Sequence, residues 1–369
     1  MQRLYLRPTG FVDHSYGIQG QACRLAGGAV WFSAYEAIFV EGGRRVASQL
    51  IPVERIDQAI EAMDADLADQ AQAILANLLT HRPAMTIGDH ALRFDRPRVM
   101  GILNMTPDSF SDGGAHIGDP DGAAQAGLAM IAAGAGIIDV GGESTRPGAA
   151  TVWDGDEIAR TEPVVRLLAG GGAPVSIDTR KASVMAAALA AGAHIVNDVS
   201  ALDHDPAAAA LLAAHDCPVV LMHHQGSPET MQQDPRYEDA LIDVYDWLAV
   251  RIARAEAAGI ARGRIIVDPG IGFGKNMRHN LQLLNGLALF HGLGCPILLG
   301  ASRKRVIGAL SDNAPADQRL GGSVALALHG AQAGAQILRV HDVRETVQAL
   351  RVWQGLRDEG LMPPVDQRF

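Results

Sequence analysis

From Arg98 onward the chain repeats one theme: a short apolar run with little hydrophobic–polar alternation, a polar or Gly-rich turn, then a longer helix-like segment. The runs are RVMGILN (98–104), GIIDVGG (136–142), APVSIDT (173–179), HIVNDVS (194–200), CPVVLMH (217–223), RIIVDPG (264–270), PILLGAS (296–302) and QILRVHD (336–342). Runs without alternation are apolar on both faces, the mark of parallel strands covered by helices. Between several of them lie segments rich in good helix formers, at 123–133, 181–191, 205–214, 237–258, 281–290 and 323–333. Eight such units in about 260 residues match the count and length of an α/β fold, the (β/α)8 TIM barrel; a doubly wound open sheet is the alternative architecture.

Residues 1–84 lack this repeat. They hold an aromatic-containing stretch, GAVWFSAYEAIFVEGG (28–43), and an Ala-rich amphipathic pattern over 53–79 that predicts one long helix. The chain therefore divides into an N-terminal accessory module, 1–84, and a barrel domain, 85–369; the module's expected role is packing or oligomerisation. ALRFDRP (91–97) reads as a short strand closing the barrel floor.

Composition acts mainly by exclusion. With 48% hydrophobic and 20% charged residues the chain reads as globular. A net charge of −10 argues against a nucleic-acid partner, which needs clustered Lys and Arg. The opening MQRLYLRPTG lacks the apolar core of a secretory signal, and no apolar run approaches the roughly 18–20 residues of a membrane span, so the expectation is a cytoplasmic protein. Cys23, Cys217 and Cys295 are far apart and without CxxC spacing, which predicts reduced, buried thiols.

In a barrel of this kind chemistry sits at the C-terminal ends of the strands. Those ends carry Asn104, Asp139 with Glu143, Asp178, Asn197 with Asp198, Met222 with His223, Asp268, Ser302 through Lys304, and Arg339 with His341. One polar residue there is usually a helix cap; a polar group at nearly every end indicates a site. Asp178, Asn197 and Asp268 suit the edge of a flat, amino-bearing heterocycle, because a guanidine-like edge pairs with a carboxylate in two parallel hydrogen bonds. Gly141–Gly148 (GGESTRPG) offers backbone amides and an arginine, and Arg339 and His341 project to one side two residues apart; both suit phosphate. Ser302 reads as a helix N-cap. Lys304, in the first turn of that helix, is electrostatically misplaced unless it serves a ligand. Phe273, in the Gly-rich DPGIGFGK turn, offers a stacking platform, and Met222 a soft apolar contact. His223 and His224 are expected to point opposite ways, against a shared metal site.

The segments ILNMTPDSFSDGG, IIDVGGESTRPGA, SIDT, IVND, LMH, DPGIGFGK, GASRK and RVHDV, in this order, resemble the dihydropteroate synthases of folate biosynthesis. The resemblance implies a TIM barrel that joins 6-hydroxymethyl-7,8-dihydropterin diphosphate to 4-aminobenzoate with Mg²⁺, releasing diphosphate and forming 7,8-dihydropteroate. Its partners would be these small molecules and a second copy in a homodimer, and sulfonamides would compete for the aminobenzoate pocket. It assigns catalytic roles to Asn104, Asp178 and Lys304. It places the pterin against Asp178, Asn197, Met222, Asp268, Lys304 and Arg339, and the diphosphate on Asn104, Thr145, Arg339 and His341, with the metal on Asn104. The aminobenzoate pocket falls to Thr145, Arg146, Pro147, Phe273 and Ser302. The loops after strands 1 and 2 would close to exclude water, the first of them carrying Asp108 and Asp112. His224 departs from the family pattern, as does the N-terminal extension. A pterin-binding methyltransferase and a non-catalytic pterin-binding paralogue are the alternative readings.

Overall fold

The computed structural model describes residues 2–13, 20–106, 118–144, 149, 151–226 and 230–361. The N-terminal part is built on strands: β1 (Arg3–Val12), β2 (Cys23–Arg24), β3 (Trp31–Glu41) and β4 (Arg44–Pro52) form an antiparallel sheet in which β3 pairs with each of the others. Gly42 and Gly43, both at positive φ (58° and 84°), turn β3 into β4, the two-residue hairpin that a Gly-Gly pair favours. The helix expected over 53–79 is broken into a 3-10 turn (Val53–Arg55), α1 (Ile56–Glu61) and α2 (Ala65–Leu79). Asp64 causes the break: its extended backbone stops one helix, and its side chain, accepting from the Leu67 N–H at 3.0 Å, starts the next. Leu4, Leu6, Phe32, Tyr35 and Ala37 of the sheet bury against Leu67, Ala71 and Leu78 of α2.

This unit docks on the outside of the barrel. Tyr5 Oη donates to Asp246 Oδ1 at 2.7 Å, and Arg3 pairs with the same carboxylate. Asn77 and Arg82 donate to the carbonyls of Gly292 and His291, at 2.8 and 2.9 Å.

A hairpin, β5 (Met85–Ile87) and β6 (His90–Leu92), leads into the barrel. Its strands are β7 (Arg98–Asn104), β8 (Ile137–Gly141), β9 (Val175–Asp178), β10 (Ile195–Asp198), β11 (Val219–Met222), β12 (Ile265–Asp268), β13 (Leu298–Leu299) and β14 (Ile337–Val340). The helices are α3 (Pro120–Ala133), α4 (Asp154–Gly170), α5 (Ala182–Ala190), α6 (Ala208–Ala213), α7 (Ala240–Ala257), α8 (Met277–Asn285), α9 (Arg305–Leu310), α10 (Leu320–Gln332) and α11 (Val343–Leu361). The parallel strands pair in the order β12-β11-β10-β9-β8-β7-β14-β13, and a parallel bridge between Val267 and Ile297 joins the two ends. The sheet is therefore a closed barrel, and the open-sheet alternative falls.

Period-2 alternation explains the apolar runs. Val99, Ile138, Val175, Val196, Val219, Ile265, Ile297 and Leu338 face outward into the helices. Their neighbours Met100, Ile137, Ile195, Val220, Ile266, Leu298 and Ile337 face inward, where Met85, Ile87, Leu92 and Phe94 plug the floor. The floor expected as one strand is thus a hairpin and the residues that follow it. All three cysteines are free; Cys217 and Cys295 are buried as expected, whereas Cys23 is only half-buried. No helix among the described residues is long and apolar enough to cross a membrane.

Phe94 is 4% exposed inside this plug. Phe94→Ala should lower unfolding free energy by about 3–5 kcal/mol, read from the midpoint of urea unfolding. A loss under about 1 kcal/mol would show that the floor is not part of the packed core.

Candidate active site

Two residues beyond the inward floor layer, the same periodicity brings a second inward set to the mouth: Asp139 follows Ile137, Asn197 follows Ile195, Met222 follows Val220, Asp268 follows Ile266, Gly300 follows Leu298 and Arg339 follows Ile337. Asp178 is level with them, pairing in register with Asn197 and Gly141. An apolar layer thus gives way to a polar one within two residues.

Arg339 organises that layer. Its Nη2 donates to Asp178 Oδ2 at 2.6 Å and its Nε to Asp139 Oδ2 at 2.5 Å, while Asn197 Nδ2 donates to the same Asp139 oxygen at 3.0 Å. Asp139 Oδ1 and Asp178 Oδ1 are buried without a hydrogen-bond partner among the described residues, two acceptors left for a ligand with N–H donors. Burial pushes the Asp178 carboxyl up to about 7; Arg339 opposes the shift and the nearby Asp139 carboxylate reinforces it. Burial likewise raises Asp268 to about 6, against the Gly270 N–H at 2.7 Å and the charge of Lys304. Burial alone would lower the Arg339 pKa, but the Asp139 and Asp178 carboxylates raise it above the ordinary guanidinium value. Asp139 was visible as a strand end but received no site role; its signal is the inward position two residues after Ile137.

The far side of the mouth differs from expectation. Helix α9 begins at Arg305, so Lys304 occupies the N-cap position with extended backbone (φ −66°, ψ 154°) instead of the first turn. Ser302 does not cap: Arg303, at φ 57°, turns the chain between it and the helix. The Ser302 hydroxyl instead accepts from the His341 N–H at 3.2 Å and lies 3.1 Å from His341 Nδ1, tying the chain beyond β13 to the end of β14. Arg303 turns away to Asp342, at 3.1 and 2.5 Å. Lys304 Nζ sits 4.0 Å from the centroid of the half-buried Phe273 ring, a cation–π contact.

The histidines also depart from expectation. Strand β11 ends at Met222, so His223 and His224 escape its alternation, and both rings pack on Trp247, at 4.8 and 5.8 Å. Among the described residues no group of three His, Cys, Asp or Glu side chains could hold a metal. Asp198 faces away from the mouth and accepts from the Ser200 and Leu202 N–H groups at 2.7 and 2.8 Å. Asn104 is half-buried at the end of β7. Thr145, Arg146, Pro147, Asp108 and Asp112 lie outside the described residues. Just before the first of these, burial alone would raise Glu143, but Arg180 at 3.0 Å and the Val152 N–H at 2.9 Å hold its carboxyl below the ordinary range.

Residues 100–341 match the family model described as pterin binding enzyme. The chain is 50% identical over 263 residues to a dihydropteroate synthase of Escherichia coli, covering 71% of this chain and 92% of that one. The Yersinia pestis dihydropteroate synthase solved with a sulfonamide drug superposes with a TM-score of 0.72 at 47% identity, over 74% of this chain and 99% of that one. The Xanthomonas albilineans dihydropteroate synthase with 4-aminobenzoic acid gives 0.70 at 48% identity, over 75% and 98%.

A carboxyl whose pKa rises on folding, from 3.8 to about 7 for Asp178, holds more protons folded than unfolded between those values. Its contribution to stability is therefore full below about pH 4 and lost as pH climbs through about 7. Ligand-free protein should lose stability relative to Asp178→Asn between pH 5 and about 7.5, measured by thermal unfolding. A gap between the two proteins that does not change with pH would contradict this.

Proposed function

The chain belongs to the pterin-binding enzymes, and among them to the dihydropteroate synthases; from that premise we propose that its polar barrel layer joins 6-hydroxymethyl-7,8-dihydropterin diphosphate to 4-aminobenzoate. The observation that carries the assignment of residues is the pair of unpartnered buried oxygens, Asp139 Oδ1 and Asp178 Oδ1, beside Asn197 and Asp268. These acceptors suit the N–H edge of a pterin, with Met222 against its face and Arg339 over it. Lys304 holds the pterin from the mouth side. Arg339, His341, Asn104 and Thr145 receive the diphosphate, and Phe273, Ser302, Arg146 and Pro147 receive the aminobenzoate, where sulfonamides would compete.

Asn104 fits a magnesium ion that travels with the substrate. A Cβ on Gly141 would lie 3.7 Å from Asn104 Oδ1 and 3.8 Å from Asp178 Oδ2, so glycine keeps that corner of the mouth clear. One neutral oxygen is too little for an all-protein site, so Asn104 would hold Mg²⁺ only when the diphosphate substrate is bound. There the ion would add positive charge against the leaving group.

The protein's own part is electrostatic. As the C–O bond to diphosphate breaks, the leaving group takes the electron pair, and Arg339 and His341 receive its growing negative charge. Positive charge spreads over the pterin, where the Asp178 carboxylate stabilises it. The aniline nitrogen of aminobenzoate then forms the new C–N bond and sheds its proton to water or diphosphate. No covalent bond to the protein is required.

The three unbridged cysteines support a reducing, cytoplasmic setting. Val352 and Leu356 on α11, 60% and 72% exposed, support a homodimer. The methyltransferase alternative finds no support in the relatives described above.

Incubating the protein with the pterin diphosphate, 4-aminobenzoate and Mg²⁺ should yield 7,8-dihydropteroate, detected by chromatography. Pterin binding without product would instead favour the non-catalytic paralogue. Asp178→Asn should lower kcat by about 100-fold while changing pterin affinity less than about tenfold, since its charge matters most in the transition state. Equal losses in both would reduce Asp178 to a binding residue.

A further inference from the structure

Lys275 has no place among the substrate contacts above, yet it is only 2% exposed. Removing an ammonium from water is costly unless its hydrogens find acceptors. Three acceptors surround Nζ: His223 Nδ1 at 2.8 Å, the Phe273 carbonyl at 2.9 Å and the His223 carbonyl at 3.3 Å. Two belong to the chain leaving β11 and one to the loop that follows β12. Gly270 completes the join. At φ 68° it packs so closely on the His223 carbonyl that a Cβ would come within 1.9 Å. Neighbouring carbonyls of the loop are also held, Gly272 by Gln232 Nε2 and Gly274 by Tyr237 Oη, each at 2.7 Å. The Lys275 Nζ thus fastens residue 223, one past Met222, to residue 273, whose ring carries Lys304 Nζ.

Resting on the substrate roles just assigned, we propose that Lys275 is a positioning residue that sets the spacing between Met222, the pterin-face contact, and Phe273, the aminobenzoate platform. It touches neither substrate and acts through the His223 ring and carbonyl and the Phe273 carbonyl. The pterin is gripped mainly by side chains rooted in barrel strands, which do not depend on this tie. The aminobenzoate rests on a loop that does. Losing Lys275 therefore falls unequally on the two substrates, whereas a purely structural residue would lower thermal stability and active fraction and leave both KM values unchanged.

The test compares the wild type with Lys275→Met, His223→Leu and His223→Asn. Turnover of the wild type first checks the synthase reading, and hydrogen exchange of the amides of residues 270–275 reports on the tie without any turnover. Lys275→Met and His223→Leu should each raise KM for 4-aminobenzoate about tenfold, leave pterin KM within about twofold and speed loop exchange. His223→Asn, whose side-chain oxygen can replace Nδ1 as acceptor, should restore wild-type behaviour. If Lys275→Met does not fold, the two His223 variants carry the comparison. Unchanged exchange, or equal rises in both KM values, would overturn the proposal. Faster exchange in a wild-type-inactive protein would leave the tie standing and remove the synthase reading instead.

Discussion

In a closed parallel barrel every strand sends alternate residues inward, and all strands run the same way, so one end collects inward side chains from all of them. Here that geometry sorts the chain by depth. Met100, Ile137, Ile195, Val220, Ile266, Leu298 and Ile337 make an apolar layer with the hairpin beneath it. The next inward step reaches Asp139, Asn197, Met222, Asp268 and Arg339 without any change of strand direction. A one-residue slip of β8 or β14 would send Asp139 or Arg339 into the helix layer and an aliphatic residue into the site.

The polar layer is held together by Arg339. One guanidinium serves two buried carboxylates, Asp139 and Asp178, and a third, Asp268, lies nearby. Buried carboxylates are costly, and burial accordingly pushes the Asp178 and Asp268 carboxyls up while Asp139 Oδ1 and Asp178 Oδ1 lack partners among the described residues. A ligand carrying several N–H donors relieves both conditions. The site's appetite for such a ligand and its own discomfort when empty have one origin.

Much of the barrel was legible because unalternating apolar runs mean burial on both faces, and each of the eight runs became a strand. The polar strand ends were legible as a set: one Asp at a strand end is usually a helix cap, but a polar group at nearly every end is not. The N-terminal sheet was not legible from strand–helix alternation, which is absent before residue 85, although Gly42-Gly43 carries the hairpin signal and Asp64 the helix break. Ser302 misled because a hydroxyl before a helix usually caps it; only the fold reveals that the His341 backbone takes it first. The Lys275–His223 contact joins residues 52 apart in sequence, and no local pattern announces it.

The hairpin under the barrel has a kinetic consequence. A cylinder plugged at one end is a well, and whatever enters must leave by the same mouth. On the roles proposed above, the pterin acceptors would lie in the deeper layer, with Phe273 and Lys304 nearer the rim. A molecule seated at the rim would block the path below it, so on that assignment loading would follow depth: the pterin before the aminobenzoate, with the joined product withdrawing as a single piece.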